Sequence, residues 1–154
     1  MVRLTYRLLD ALFRDDAINS IRRVFQEDLG KSVFFRVFAN FKSTNGEWHG
    51  LFPMIYDTGA IITLLPSRMS KLLKVSKYAK ASLRGISPKP ELKVRLCKLT
   101  LKLQDENGNQ SPELPVWSAI ALRDDVPFIL GMKYLVIKHS LATEKKNMTF
   151  SLDF

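Results

Sequence analysis

The sequence predicts a mainly β domain preceded by a helical extension. Three observations carry this. Segments rich in Val, Ile, Leu and Phe recur from residue 31 to the end, separated by Asn-Gly, Asp-Glu-Asn-Gly and Arg-Asp-Asp turn signals. One acidic turn, Asp57-Thr58-Gly59, joins two apolar runs, Met54-Ile55-Tyr56 and Ile61-Ile62. Over residues 3–29, in contrast, apolar residues fall at helical spacing: Leu4, Leu8, Leu9, Leu12 and Phe13, then Ile18, Ile21, Val24 and Phe25.

The extension, residues 1–30, reads as two short helices or one kinked helix. Arg14-Asp15-Asp16 interrupts the apolar stripe, Asp16 can serve as an N-cap, and Gly30 is a natural stop. The β domain, residues 31–154, opens with a strand from Lys31 to Phe41. Ser43-Thr44-Asn45-Gly46 is a hairpin turn, and Glu47 to Tyr56 returns as a strand delivering Asp57. Ile61 to Leu65 runs outward, and Pro66-Ser67 starts a short helix, Arg68 to Leu73. Leu83 to Pro90 is turn-rich between two β-like arms. Leu92 to Gln104 alternates apolar and basic, with a slip near Cys97-Lys98 that a bulge would explain. Leu114 to Leu122 and Phe128 to Leu130 are further strands, Met132 to Lys138 a helical turn or two, and Asn147 to Phe154 a β-like tail.

With 154 residues, 46% hydrophobic and 10% aromatic, the chain suits one globular core. No apolar run approaches a membrane span, and the N-terminus lacks a signal-peptide pattern. The single cysteine, Cys97, excludes an intrachain disulfide and a multi-cysteine metal site, and points to a reducing, cytoplasmic home. Cys97 reads as a small core residue. His49 and His139 have no partner at ligand spacing, so neither a metal nor a cofactor is expected.

The net charge of +9 is unevenly placed. Five arginines balance five acids within residues 1–30, whereas Arg68 to Lys102 carries a basic run opposed by Glu91 alone. Such a run reads as a solvated face; it could also draw nucleic acid or an acidic partner. Tyr78 is the one aromatic residue interleaved with it, so no base-stacking platform is expected.

Asp-Thr-Gly alone is an ordinary Asx-turn sequence. Here it is embedded in Met54-Ile55-Tyr56-Asp57-Thr58-Gly59-Ala60, followed by Thr63-Leu64, and a second element follows at Phe128-Ile129-Leu130-Gly131-Met132-Lys133-Tyr134-Leu135. On these motifs, residues 33–154 resemble the retropepsin-like aspartic proteases, single-lobed relatives of pepsin. The resemblance implies a closed β-barrel lobe and an aspartic endopeptidase acting on polypeptide. It assigns Asp57 as the acid/base, Thr58 as a lock between loops across the dimer axis, and Gly59 as the point of close backbone approach. Ala60 would line the cleft, Gly85, Ile86 and Ser87 would form a flap tip over the substrate, and Leu130 and Gly131 would support the acid loop. Viral relatives carry Arg after that last glycine, where this chain has Met132, so a dimer-tying ion pair is missing.

Two carboxylates must share a proton for this chemistry. The chain has one Asp-Thr-Gly, so catalysis requires a C2 homodimer that pairs Asp57 with its symmetry mate. The alternative is a catalytically weak or inactive dimeric scaffold of the same fold, binding an acidic partner or nucleic acid through the lysine-rich face.

Overall fold

The computed structural model of the chain describes residues 1–10, 33–57, 59–84, 91–131, 140–144, 147 and 149–154. These form a mainly β molecule. In chain order the elements are β1 (Arg3–Asp10), β2 (Val33–Lys42), β3 (Trp48–Tyr56), β4 (Thr63–Leu65), α1 (Arg68–Leu72), β5 (Ala79–Leu83), β6 (Leu92–Gln104), β7 (Leu114–Ala121), β8 (Ile129–Leu130), β9 (Ser140–Glu144) and β10 (Thr149–Asp153). They hydrogen-bond into a 10-stranded sheet in the order β5-β6-β7-β4-β8-β3-β2-β1-β10-β9. β2 also pairs with β6, from Phe38↔Gln104 to Lys42↔Thr100. That pairing joins strands far apart in the order, so the sheet curls over its own apolar face.

Period-two burial writes this face into the sequence. Val37, Ala39 and Phe41 of β2 point inward, as do Leu99, Leu101 and Leu103 of β6 and Leu114 and Val116 of β7. Their neighbours Asn40, Lys42, Lys102, Pro115 and Trp117 point outward. The expected slip in β6 appears as a change of phase, since both Val94 and Cys97 are buried. No bulge is needed for it: the ladder to β7 runs unbroken from Val94↔Ala121 to Leu101↔Leu114. Cys97 is core, and burial pushes its thiol up to about 11.

The helical reading of the extension is corrected over Arg3–Asp10, which is a strand. Leu4 and Leu8 fit a helix, but Leu4 and Tyr6 also alternate with Arg3, Thr5 and Arg7. Two antiparallel partners decide between the patterns: β10 (Arg3↔Asp153 to Arg7↔Thr149) and β2 (Leu8↔Phe35 to Asp10↔Val33). Leu4 and Tyr6 are thereby fully buried, and the Tyr6 ring stacks on Phe150 at 5.1 Å between centroids. Phe35 meets Phe150 edge-on at 5.0 Å and Tyr56 at 6.5 Å. One aromatic cluster thus ties β1, β2, β10 and the end of β3 together, directly behind Asp57. Residues 11–32, which hold the rest of the expected helices, and the helical turn at 132–138 lie outside the described residues.

Helix α1 falls where expected, but its cap differs. Ser67 has helical backbone angles and makes no side-chain cap. The Arg68 N–H instead donates to Asp124 Oδ1 at 2.7 Å, a carboxylate brought from the β7–β8 turn to the helix start.

Candidate active site

The acid loop leaves β3 and enters β4, and β8 lies between these two strands. β8 runs parallel to β3, with Ile55↔Ile129 and Tyr56↔Leu130 in register, and antiparallel to β4 at Leu64↔Ile129. The Ile55 N–H donates to the Phe128 carbonyl at 2.9 Å and the Asp57 N–H to the Leu130 carbonyl at 3.2 Å. β8 therefore pins the backbone of the acid at both its approach and its own amide. This explains why Phe128-Ile129-Leu130 is wholly apolar: Leu130 is fully buried, in the middle of the sheet.

Gly131 ends β8 at a very close approach. A Cβ at this position would sit 2.2 Å from the Ile62 carbonyl carbon and 2.4 Å from its oxygen, so only glycine fits. The Gly131 N–H donates to Thr63 Oγ1 at 3.2 Å, and Thr63 is itself buried. The two motifs that stand 74 residues apart in sequence, at Asp57 and Gly131, meet here through the outgoing arm of the loop.

Within the loop, the Gly59 N–H donates to Asp57 Oδ1 at 2.8 Å. The Ala60 N–H donates to the Asp57 carbonyl at 3.2 Å. The turn therefore closes on its own acid, and a Cβ on Gly59 would lie 3.3 Å from Oδ1. Asp57 is half-buried at the end of a core strand, with Ile61 projecting beside it at 70% exposure. Thr58 lies outside the described residues.

In front of the loop opens a cavity of about 460 Å³. Gly59, Ala60, Ile61 and Ile62 of the acid loop line it, although Asp57 itself does not, together with Leu64, Ile129, Leu83, Arg84 and Leu92. The last three come from the hairpin of β5 and β6, whose arms pair from Ala79↔Leu96 to Leu83↔Leu92. An Arg84–Glu91 ion pair at 2.5 Å clamps the base of its tip. The tip itself, including the expected flap residues Gly85, Ile86 and Ser87, lies outside the described residues. A larger cavity, about 590 Å³, lies between Tyr78 and Trp117, away from the acid loop.

The structure brings Asp57, Gly59, Ala60, Leu130 and Gly131 into one locus. Ile61, Ile62, Leu83, Leu92 and Ile129 also line the groove; the apolar run after Gly59 is the only sequence signal for the first two. Among the described residues, no three His, Cys, Asp or Glu side chains are grouped to hold a metal ion, and no helix is long and apolar enough to cross a membrane.

No protein-family model and no curated protein matches the chain. Among solved structures, a retropepsin-like aspartic protease from Rickettsia conorii is similar to it over 77% of this chain and 88% of its own, with 18% sequence identity and a TM-score of 0.48.

Proposed function

We propose that this chain is an aspartic endopeptidase with a retropepsin-like lobe, active as a C2 homodimer. The observation that carries the reading is the seating of Asp57: a half-exposed carboxylate at the end of a core strand, its backbone pinned by β8, two residues before the Gly59-Ala60-Ile61-Ile62 wall of a largely apolar groove. An acid so placed is held in position while one of its sides stays open to substrate.

In the proposed mechanism, Asp57 of each protomer meets the other across the two-fold axis. Two carboxylates about 3 Å apart share a single proton. The ionised oxygen accepts a proton from a bound water, and the protonated acid donates to the scissile carbonyl oxygen as the water oxygen bonds to carbon. The diol intermediate then collapses, the leaving amine takes a proton from the pair, and the C–N bond breaks. Thr58 braces the two loops, and Gly59 supplies the N–H that orients Asp57. Ala60 and the hairpin tip at Gly85, Ile86 and Ser87 hold the substrate in an extended pose, its apolar side chains against Ile61, Leu83 and Leu92. Leu130 and Gly131 keep the acid loop in register.

The test is digestion of an unfolded polypeptide at mildly acidic pH by wild type and by Asp57→Asn. Cleavage by the first and none by the second is expected. Specific activity should also fall as the protein is diluted, in step with loss of the dimer seen by sedimentation. Equal cleavage by both proteins, or full activity from a species that sediments as a monomer, overturns the proposal.

A further inference from the structure

The outer face of the curled sheet holds a second candidate site, which shares no residue with the groove in front of Asp57. Along the sequence, Tyr78 alone interrupts the basic run. Strand pairing changes this. Lys98 lies opposite Trp117, and Lys42 is opposite both Trp48 and Thr100. Trp48, Tyr78 and Trp117 are 37%, 42% and 36% exposed, and they are the exposed aromatic side chains among the described residues.

Each of the three rings carries a cation. Lys98 stands 5.8 Å from the centroid of Trp117, while Arg95, on the other face of β6 by its register, stands 5.0 Å from that of Tyr78 and donates to Ser70 Oγ. Lys42 and Lys102 lie 5.4 and 5.0 Å from that of Trp48. The 590 Å³ cavity joins Tyr78 to Trp117, with Lys77 and Lys98 in its wall. A smaller one, about 210 Å³, is lined by Trp48, Lys102 and the carboxamides of Asn40 and Gln110. Among the described residues, Glu113 is the one acid in contact with these cations, at 3.3 Å from Lys42.

We propose that this face binds single-stranded nucleic acid. Phosphates would pair with the lysines, and unstacked bases would lie on the exposed rings. A slot with an aromatic wall, a cation and two carboxamides offers both the stacking surface and the edge contacts a splayed base uses. Rings three strand positions apart, roughly 15 Å by strand spacing, match a run of a few nucleotides. A duplex keeps its base faces covered, and the Asp and Glu side chains of an acidic polypeptide carry no aromatic ring to stack on these residues. A strand of bases and phosphates answers both features, and the protein's +9 charge favours its approach.

Both tryptophans of the chain lie on this face, so their fluorescence reports on it directly. The full-length protein would be titrated at about 50 mM salt with oligothymidylate and oligouridylate of about 15 nucleotides. Parallel titrations would use the duplex form, polyglutamate and anionic phospholipid vesicles. Strong quenching by the single strands is expected, with affinity falling steeply as salt rises. Trp117→Ala should weaken binding about tenfold or more and Trp117→Phe should restore most of it. Lys98→Gln should lower the salt slope by about one. Asp57→Asn should bind as wild type does, which keeps this outcome independent of proteolysis. Absence of quenching at low salt overturns the proposal. So does equal or tighter binding of duplex, polyglutamate or vesicles, or a folded Trp117→Ala that binds unchanged.

Discussion

Asp57 and Asp105 are both aspartates at the end of a strand, in turns of similar type, and the structure treats them in opposite ways. Asp105 is 2% exposed. Its carboxylate accepts the N–H groups of Thr5, Asn107 and Asn109 and the Asn109 side-chain amide, at 2.9 to 3.3 Å. Burial alone would raise its pKa, yet these donors outweigh it and hold the carboxyl below its ordinary value. Asp57 is half-exposed, and among the described residues one N–H, that of Gly59, reaches its carboxylate. Asp105 spends its acceptor capacity on tying the β6–β7 turn to β1, and its role is structural. Asp57 is fixed through its backbone, and among the described residues its carboxylate keeps acceptor capacity beyond the Gly59 N–H. Under the proposed function, the contrast is between a turn acid positioned for chemistry by main-chain contacts and a turn acid saturated by donors for structure.

The contrast can be broken most sharply at Asp57 itself. Asp57→Asn keeps an oxygen for the Gly59 N–H but loses the ionisable acid, so the proposed peptidase activity should drop by about 10³-fold or more while stability changes by less than about 1 kcal/mol. Parallel digestion and urea unfolding measure both; a large stability loss would make Asp57 structural like Asp105. Next in size is Gly131→Ala. The added methyl would collide with the Ile62 backbone and should cost about 3 kcal/mol or more, read as a lower urea midpoint. An unchanged midpoint would mean that the loop is not anchored by β8.

Asp105→Ala should cost about 2–3 kcal/mol, because it leaves buried N–H groups of the turn and of β1 without an acceptor. Thermal unfolding within a degree of wild type would refute the structural assignment. The smallest effect is one of pH. Because the folded state holds the Asp105 carboxyl below its unfolded value of about 3.9, its stabilisation is present above that pH and fades as pH falls further. The stability gap between wild type and Asp105→Asn should therefore narrow below about pH 4. A gap that stays constant down to pH 2 or so would show that the charge contributes nothing.

Much of this was legible in the order of residues. Met54-Ile55-Tyr56-Asp57-Thr58-Gly59 reads as strand and turn because a buried strand needs a continuous apolar run and the turn needs Asp and Gly. Asn45-Gly46 marks its hairpin, with Gly46 at φ +87°, and Phe150 and Leu152 alternate into the core as the tail pattern requires. Arg3–Asp10 was misread since its apolar spacing satisfies a helix and a strand alike. β9 (Ser140–Glu144) has little signal in the sequence: Leu141 is 38% exposed and Ala142 to Glu144 are exposed, so these residues leave no buried alternation to read.

The sequence by itself determined the local chemistry: where the chain turns, which residue types stand at the turn, and that only one acid occupies an Asp-Thr-Gly. Those features depend on neighbours within a few residues, through backbone angles and side-chain-to-backbone bonds. Only the tertiary structure decided that β1 is a strand, that Asp124 caps α1, that Gly131 touches Ile62, and that Trp48 and Trp117 sit among lysines. Each of these is a contact across paired strands or between distant loops, and its register is set by the fit of the whole core rather than by any local stretch of the chain.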